Sequence, residues 1–184
     1  MPTLIHSALF SLCLLASNAF AAPPSHCTAD EYSIVNAWMG KVNATEGGWR
    51  NSKNGKLLSL CADKKTQPFT AITYRYGAQG KVELEVQATP QNKFKFAAVA
   101  SAPRSGNDVL FFEKGDYTYY VSIATGMGSG VSLYVFKGMK KIVSHFSGNE
   151  QDEDYQLGPA EIDFLAKHSP SPVLMAAKPR HTLD

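Results

Sequence analysis

Not one Lys, Arg, Asp or Glu falls in the first 21 residues of this 184-residue chain. Residues 4–16 form an apolar run, Ser17 and Asn18 break it, and Ala19-Phe20-Ala21 supplies the small-x-small pattern read by a signal peptidase. Pro23 and Pro24 follow. The run is too short to cross a bilayer, which takes about 20 apolar residues as a helix. These features predict a signal peptide over 1–21, its positive region limited to the amino terminus and His6, and an exported remainder, periplasmic or secreted, with no transmembrane segment after cleavage.

Cysteine is scarce too. There are three, and Cys13 leaves with the signal, so Cys27 and Cys61 remain. In an oxidising compartment two cysteines most simply form one bridge, the alternative being two unpaired thiols. Closing that loop contributes roughly 4 kcal/mol at most in the chain-entropy model. Neither Cys13 nor Cys27 follows a small residue (Leu12 and His26 precede them), which argues against a lipid anchor. Excess charge is also lacking: 18 basic against 16 acidic residues give a formal net charge of +2, no basis for a nucleic-acid surface. The densest basic group, Lys137, Lys140 and Lys141, reads as a solvated hairpin end.

Motifs for chemistry are equally few. His26, His145, His168 and His181 are scattered, with neither H-E-x-x-H nor a tandem metal spacing. No G-x-S-x-G elbow is present. Gly126-Met127-Gly128-Ser129-Gly130 has the glycines of a phosphate loop, but strand-like runs flank it where a helix N-terminus is required. It reads as a strand connection or a recognition loop. Asp152, Glu153 and Asp154 lack the alternating spacing and glycine of a calcium loop and read as a solvated acidic loop. Glu83 and Glu85 share the polar face of one strand. No cofactor and no metal are expected.

What the chain has is period-two alternation, cleanest in Val82-Glu83-Leu84-Glu85-Val86. Strand-like runs at 56–61, 69–76, 82–86, 94–96, 109–113, 117–124, 131–136 and 141–146 are separated by turn formers such as Gly77-Ala78-Gln79-Gly80 and Thr89-Pro90-Gln91-Asn92. Short runs at this spacing predict a mainly β protein, an antiparallel sandwich or barrel, over 22–165. Residues 32–39 are ambiguous. Thr28-Ala29-Asp30-Glu31 matches a capping box and Ile34, Trp38 and Val42 recur at helical spacing, yet the run is β-branched and aromatic, which favours a strand. Residues 43–54 and 101–108 read as surface loops. Tyr117 and Tyr119 share one strand face and Tyr120 the other, so one set belongs to the core and the other is a candidate exposed patch. Residues 166–184 read as a C-terminal extension, after a short helix opened by Pro159 and carrying Ile162 and Leu165. An added edge strand is expected at 173–177 and a frayed end from 178.

Several segments resemble a group of small exported β-rich proteins of Gram-negative bacteria, mostly uncharacterised. They are Gly55-Lys56-Leu57-Leu58-Ser59-Leu60-Cys61-Ala62-Asp63, Tyr74-Arg75-Tyr76-Gly77, Gly80-Lys81-Val82-Glu83-Leu84, Tyr117-Thr118-Tyr119-Tyr120 and Gly130-Val131-Ser132-Leu133. The resemblance implies an exported β domain rather than an activity. More weakly, Ser129-Gly130-Val131-Ser132-Leu133-Tyr134 is similar to the Ser-Gly motif, closely followed by Tyr, that periplasmic lysozyme inhibitors insert into the enzyme cleft. Here the tyrosine falls a residue or two late, and on a strand a one-residue shift turns a side chain to the opposite face. The function expected is therefore an exported non-enzymatic binding protein with a protein partner in the cell envelope, in one form an inhibitor or immunity protein against a cell-wall hydrolase. Its binding residues would be Ser129, Gly130 and Tyr134. The alternatives are a hydrolase assembled from dispersed residues such as His145, Glu83 and Asp154, and an envelope component that adds strand 173–177 to a partner.

Overall fold

A computed structural model of the chain describes residues 22–102, 105–126, 128–160 and 171–183. They hold β1 (Tyr32–Met39), β2 (Val42–Thr45), β3 (Gly48–Asn51), β4 (Lys56–Ala62), β5 (Ile72–Ala78), β6 (Lys81–Ala88), β7 (Phe94–Ala102), β8 (Ser105–Lys114), β9 (Tyr117–Gly126), β10 (Gly130–Lys137), β11 (Lys140–Phe146), β12 (Tyr155–Leu157) and β13 (Leu174–Ala176). No helix occurs among the described residues. The helix expected over Ile162 and Leu165 falls on residues 161–170, outside them.

The strands form a five-stranded sheet, β12-β1-β4-β5-β6, a six-stranded sheet, β11-β10-β9-β8-β7-β13, and a separate β2–β3 ribbon. Neither large sheet closes into a barrel, which corrects that half of the expectation. The end strands keep a free edge, and β6 and β11 guard theirs with Lys81, Glu83 and Glu85 and with Lys140 and Lys141. The sheets instead share one core. Val35, Leu58, Leu60 and Tyr74 from one side meet Leu110, Phe112, Val121 and Leu133 from the other. Two facing open sheets fit the sandwich alternative. Pairing is not wholly antiparallel, because β13 joins β7 in parallel.

The ambiguous residues 32–39 form a strand. Only half of the capping box forms, from Thr28 N–H to Glu31 Oε2 at 2.8 Å; the Thr28 hydroxyl donates to the same oxygen at 3.1 Å, and Glu31 N–H closes a turn onto Thr28 O at 3.1 Å instead of meeting the hydroxyl. The Glu31 carboxylate is then held by Arg75 of β5, and Ile34, Val35, Ala37 and Met39 are buried as the strand pairs with β4. Tertiary pairing wins over a local signal of about 1 kcal/mol.

Three other expectations are corrected. Residues 43–54 are not a plain loop but contain the β2–β3 hairpin, and residues 101–108 belong largely to β7 and β8. The end beyond residue 178 is tied down. Arg180 Nη2 donates to Thr118 Oγ1 at 2.6 Å, and His181 is buried, with Nε2 2.8 Å from the Gly138 carbonyl and Nδ1 2.8 Å from the Tyr120 hydroxyl. Because Gly138 O only accepts, Nε2 carries the proton, and in the neutral ring Nδ1 accepts from Tyr120. The reason for the docking is the outer face of the six-stranded sheet. Val109, Phe111, Tyr120 and Phe136 make a second apolar cluster there, and His181 stacks on Phe136 with ring centroids 4.0 Å apart. Tyr120 is thus buried on the outer face, while Tyr119 is half-buried on the inner one.

Candidate protein-contact surface

Asn149, just after β11, joins three segments at one end of the fold. Its Oδ1 accepts from Trp49 N–H at 2.8 Å, its N–H donates to Trp49 O at 2.8 Å, and its Nδ2 donates to Ser129 O at 2.8 Å. The β2–β3 hairpin, the loop after β11 and the glycine-rich connection between β9 and β10 are therefore fixed to one another. Trp49 stands on this surface at 48 % exposure, one of two tryptophans in the chain.

Ser129 is half-buried, and its N–H closes a turn onto Gly126 O at 3.2 Å. Gly130 is buried with φ +147°; a Cβ there would lie 2.5 Å from Gly148 O and 2.6 Å from the Phe146 ring, so only glycine lets the connection sit this close. Tyr134 is elsewhere. It lies mid-strand on the outer face of β10, beside the Phe111–Tyr120–Phe136 cluster, with Lys141 Nζ 5.2 Å from its ring centroid. It lies five positions along from Ser129, roughly 16 Å in extended chain. The structure brings Ser129 and Gly130 together with Trp49 and does not bring Tyr134 to them. Trp49 was missed in the sequence because residues 43–54 have no alternation of their own; the available signal was Glu46-Gly47, a turn pair set between two four-residue strands.

Beneath this surface lies a charged network. Asp154 is fully buried, its Oδ1 accepting Asn51 N–H at 3.2 Å and its Oδ2 accepting Glu150 N–H at 3.3 Å and facing Arg50 Nε at 3.5 Å. Arg50 also pairs with Glu150 and Glu153, and Lys53 lies 3.7 Å from Glu153. Of the three acids read as a solvated loop, only Asp152 is exposed.

The dispersed residues of the hydrolase alternative are not assembled. His145 lies 3.3 Å from the Tyr76 hydroxyl through Nδ1, Glu83 pairs with Lys56, and Asp154 belongs to the network just described. Burial lowers the His145 pKa below the ordinary imidazole value and the nearby Lys56 charge lowers it further, which favours the neutral ring. The strand expected to join a partner is paired within the chain, as β13 against β7.

Cys27 and Cys61 form a disulfide. It pins residues 22–31 across the outer face of the five-stranded sheet, where His26 N–H donates to Ser59 Oγ at 3.0 Å. Arg75 donates there to both oxygens of Glu31, at 2.5 and 3.1 Å, and to Glu85 at 2.6 Å. Burial pushes the Glu31 carboxyl up, but the Arg75 guanidinium and the Thr28 N–H outweigh it and leave the pKa below the ordinary glutamate value of 4.5. The unfolded chain then binds the proton more readily, so this contribution is full above about pH 4.5 and is lost as pH falls through the depressed value. Glu31→Gln is expected to cost about 1 kcal/mol at neutral pH, discounted for partial exposure. In urea titrations from pH 7 to pH 3 the gap to the parent protein should close; a gap independent of pH rules out the linkage.

No helix among the described residues is long and apolar enough to cross a membrane. The chain matches no protein-family model, no curated protein and no solved structure.

Proposed function

We propose that this is an exported binding protein that acts by contact in the cell envelope, in its most specific form an inhibitor or immunity protein against a cell-wall hydrolase. The observation that carries the reading is the Asn149 clamp, which holds an exposed tryptophan and a glycine-rich loop as one surface on a stapled β scaffold. Large aromatic side chains dominate contact energetics, and a surface already ordered by backbone bonds loses little entropy on binding. Occlusion is the mechanism: the turn carrying Ser129, held close to the sheet by buried Gly130, enters a partner's cleft and the Trp49 ring covers its lip. The apolar leader and the disulfide support the compartment.

The test is a pull-down from periplasmic extract together with activity assays on a panel of lysozymes and amidases. One hydrolase should be captured and inhibited, and Trp49→Ala should weaken that contact by tenfold or more with unchanged thermal unfolding. A panel left fully active, with no partner captured, sinks the inhibitor reading.

A further inference from the structure

The inner faces of the two sheets are not covered everywhere. Tyr76 of β5 and Leu84 and Val86 of β6 on one sheet, and Tyr117 and Tyr119 of β9 and Val143 of β11 on the other, all pack against the shared core, and all six are only partly buried. This open side is bounded at one end by the Tyr76–His145 bond and at the other by Lys114 Nζ, which reaches Glu85 O at 3.3 Å.

Behind those tyrosines lies a polar atom without a partner. Tyr74 is 0 % exposed, and among the described residues its hydroxyl has no hydrogen-bond partner. Its ring centroid is 6.2 Å from that of Tyr119 and 5.1 Å from that of Phe112. An unpaired buried hydroxyl is destabilising, and a core position gains nothing from tyrosine over phenylalanine unless something meets the oxygen.

The rim carries more positive than negative charge. Glu83 is taken by Lys56, Glu85 by Arg75 and Glu113 by Lys95, which leaves exposed Asp116, in the turn after Lys114, as the nearby carboxylate with no ion pair among the described residues. Lys114 and Lys137 have no carboxylate partner among the described residues; Lys114 bonds a backbone carbonyl, and Lys137 Nζ sits 5.5 Å from the Tyr117 ring centroid. Tyr117 and Tyr119 are two residues apart on one face, roughly 7 Å, the reach of a single substituted ring.

We propose that this open side binds a small aromatic carboxylate carrying a polar substituent at its far end, the hydroxycinnamate class. The ring lies among Tyr76, Tyr117, Tyr119, Leu84 and Val143. The carboxylate faces Lys114 and Lys137, and the distal hydroxyl accepts a hydrogen bond from Tyr74 once the Tyr119 ring turns aside.

Calorimetric titration with 4-hydroxycinnamate and with cinnamate tests the assignment. The parent protein should bind 4-hydroxycinnamate saturably and cinnamate about tenfold more weakly. Tyr74→Phe should lose that tenfold for the hydroxylated probe and show no discrimination between the two. Lys114→Ala with Lys137→Ala should weaken both probes and flatten the salt dependence. Tyr74→Phe should also raise the unliganded protein's urea midpoint, since it removes an unpaired hydroxyl. Absence of saturable binding, discrimination that survives Tyr74→Phe, or a lowered midpoint in that variant overturns the proposal.

Discussion

Asp154→Ala is expected to lower the free energy of unfolding by about 3–5 kcal/mol, the range for removing one partner of a buried charged network. The carboxylate is fully buried and serves two backbone donors, Asn51 N–H and Glu150 N–H, as well as Arg50. Alanine leaves both N–H groups facing an apolar methyl and a void, and it strands a guanidinium whose remaining partners, Glu150 and Glu153, lie nearer solvent. Asp154→Asn keeps the shape and one acceptor oxygen, but its amide nitrogen turns a donor toward a donor, so it should fall between the two. Chemical denaturation measures the loss, and hydrogen exchange locates it: the Asn51 and Glu150 amides should lose protection before the β8–β9 core does. Arg50→Ala is the milder change, because that side chain is 35 % exposed and both N–H bonds to Asp154 survive it. An Asp154→Ala protein within 1 kcal/mol of the parent would mean that water or Arg50 satisfies the site without the carboxylate.

The same network explains what the sequence hides. Runs 82–86 and 117–124 are legible, the first because its alternation and the turn glycines before it agree with the final pairing, the second because aromatic and β-branched residues fill it between turn formers. The disulfide is legible because only Cys27 and Cys61 lie outside the apolar segment 1–21, which reads as a signal peptide. The β2–β3 hairpin is not, because neither strand has a face to bury against its own neighbour. Asn149 and Asp154 hold it from about 100 positions away, as the sequence separations of their bonds to Trp49 and Asn51 record. The docked C-terminal end is hidden for a related reason: a tail reading Lys178-Pro179-Arg180-His181 looks solvated until an aromatic outer face is there to receive His181. In the candidate surface, Ser129 and Gly130 stand out as part of a glycine cluster. Trp49 becomes part of it only through a side chain whose two bonds no local pattern announces.

Gly77→Ala is expected to cost about 3 kcal/mol or more, while Gly80→Ala, in the adjoining turn, should cost about 1 kcal/mol. The two glycines separate two reasons for having no side chain. Gly80 has φ +74° with nothing within 4 Å of a built Cβ, so alanine there suffers backbone strain alone. At Gly77 the built Cβ lies 2.1 Å from Lys81 O, 2.7 Å from Glu83 N and 3.0 Å from Val82 Cα, all backbone atoms of β6 that no rotamer change can move. The crowding has a cause in the register. Gly77 pairs with Val82 while Tyr76 pairs with Leu84, so Glu83 is the extra residue of a bulge and the β6 backbone presses against β5 there. The bulge also swings Glu83 toward Lys56, whose ammonium lies 5.4 Å from the Tyr76 ring centroid. Alanine at 77 must therefore push β6 outward by an ångström or more and disturb the side of the sandwich where Tyr76 meets His145. The expected signature is a large drop in urea midpoint together with a chemical-shift change at His145. If Gly77→Ala proved no worse than Gly80→Ala, the close approach of β5 and β6 could not be the feature that fixes this edge.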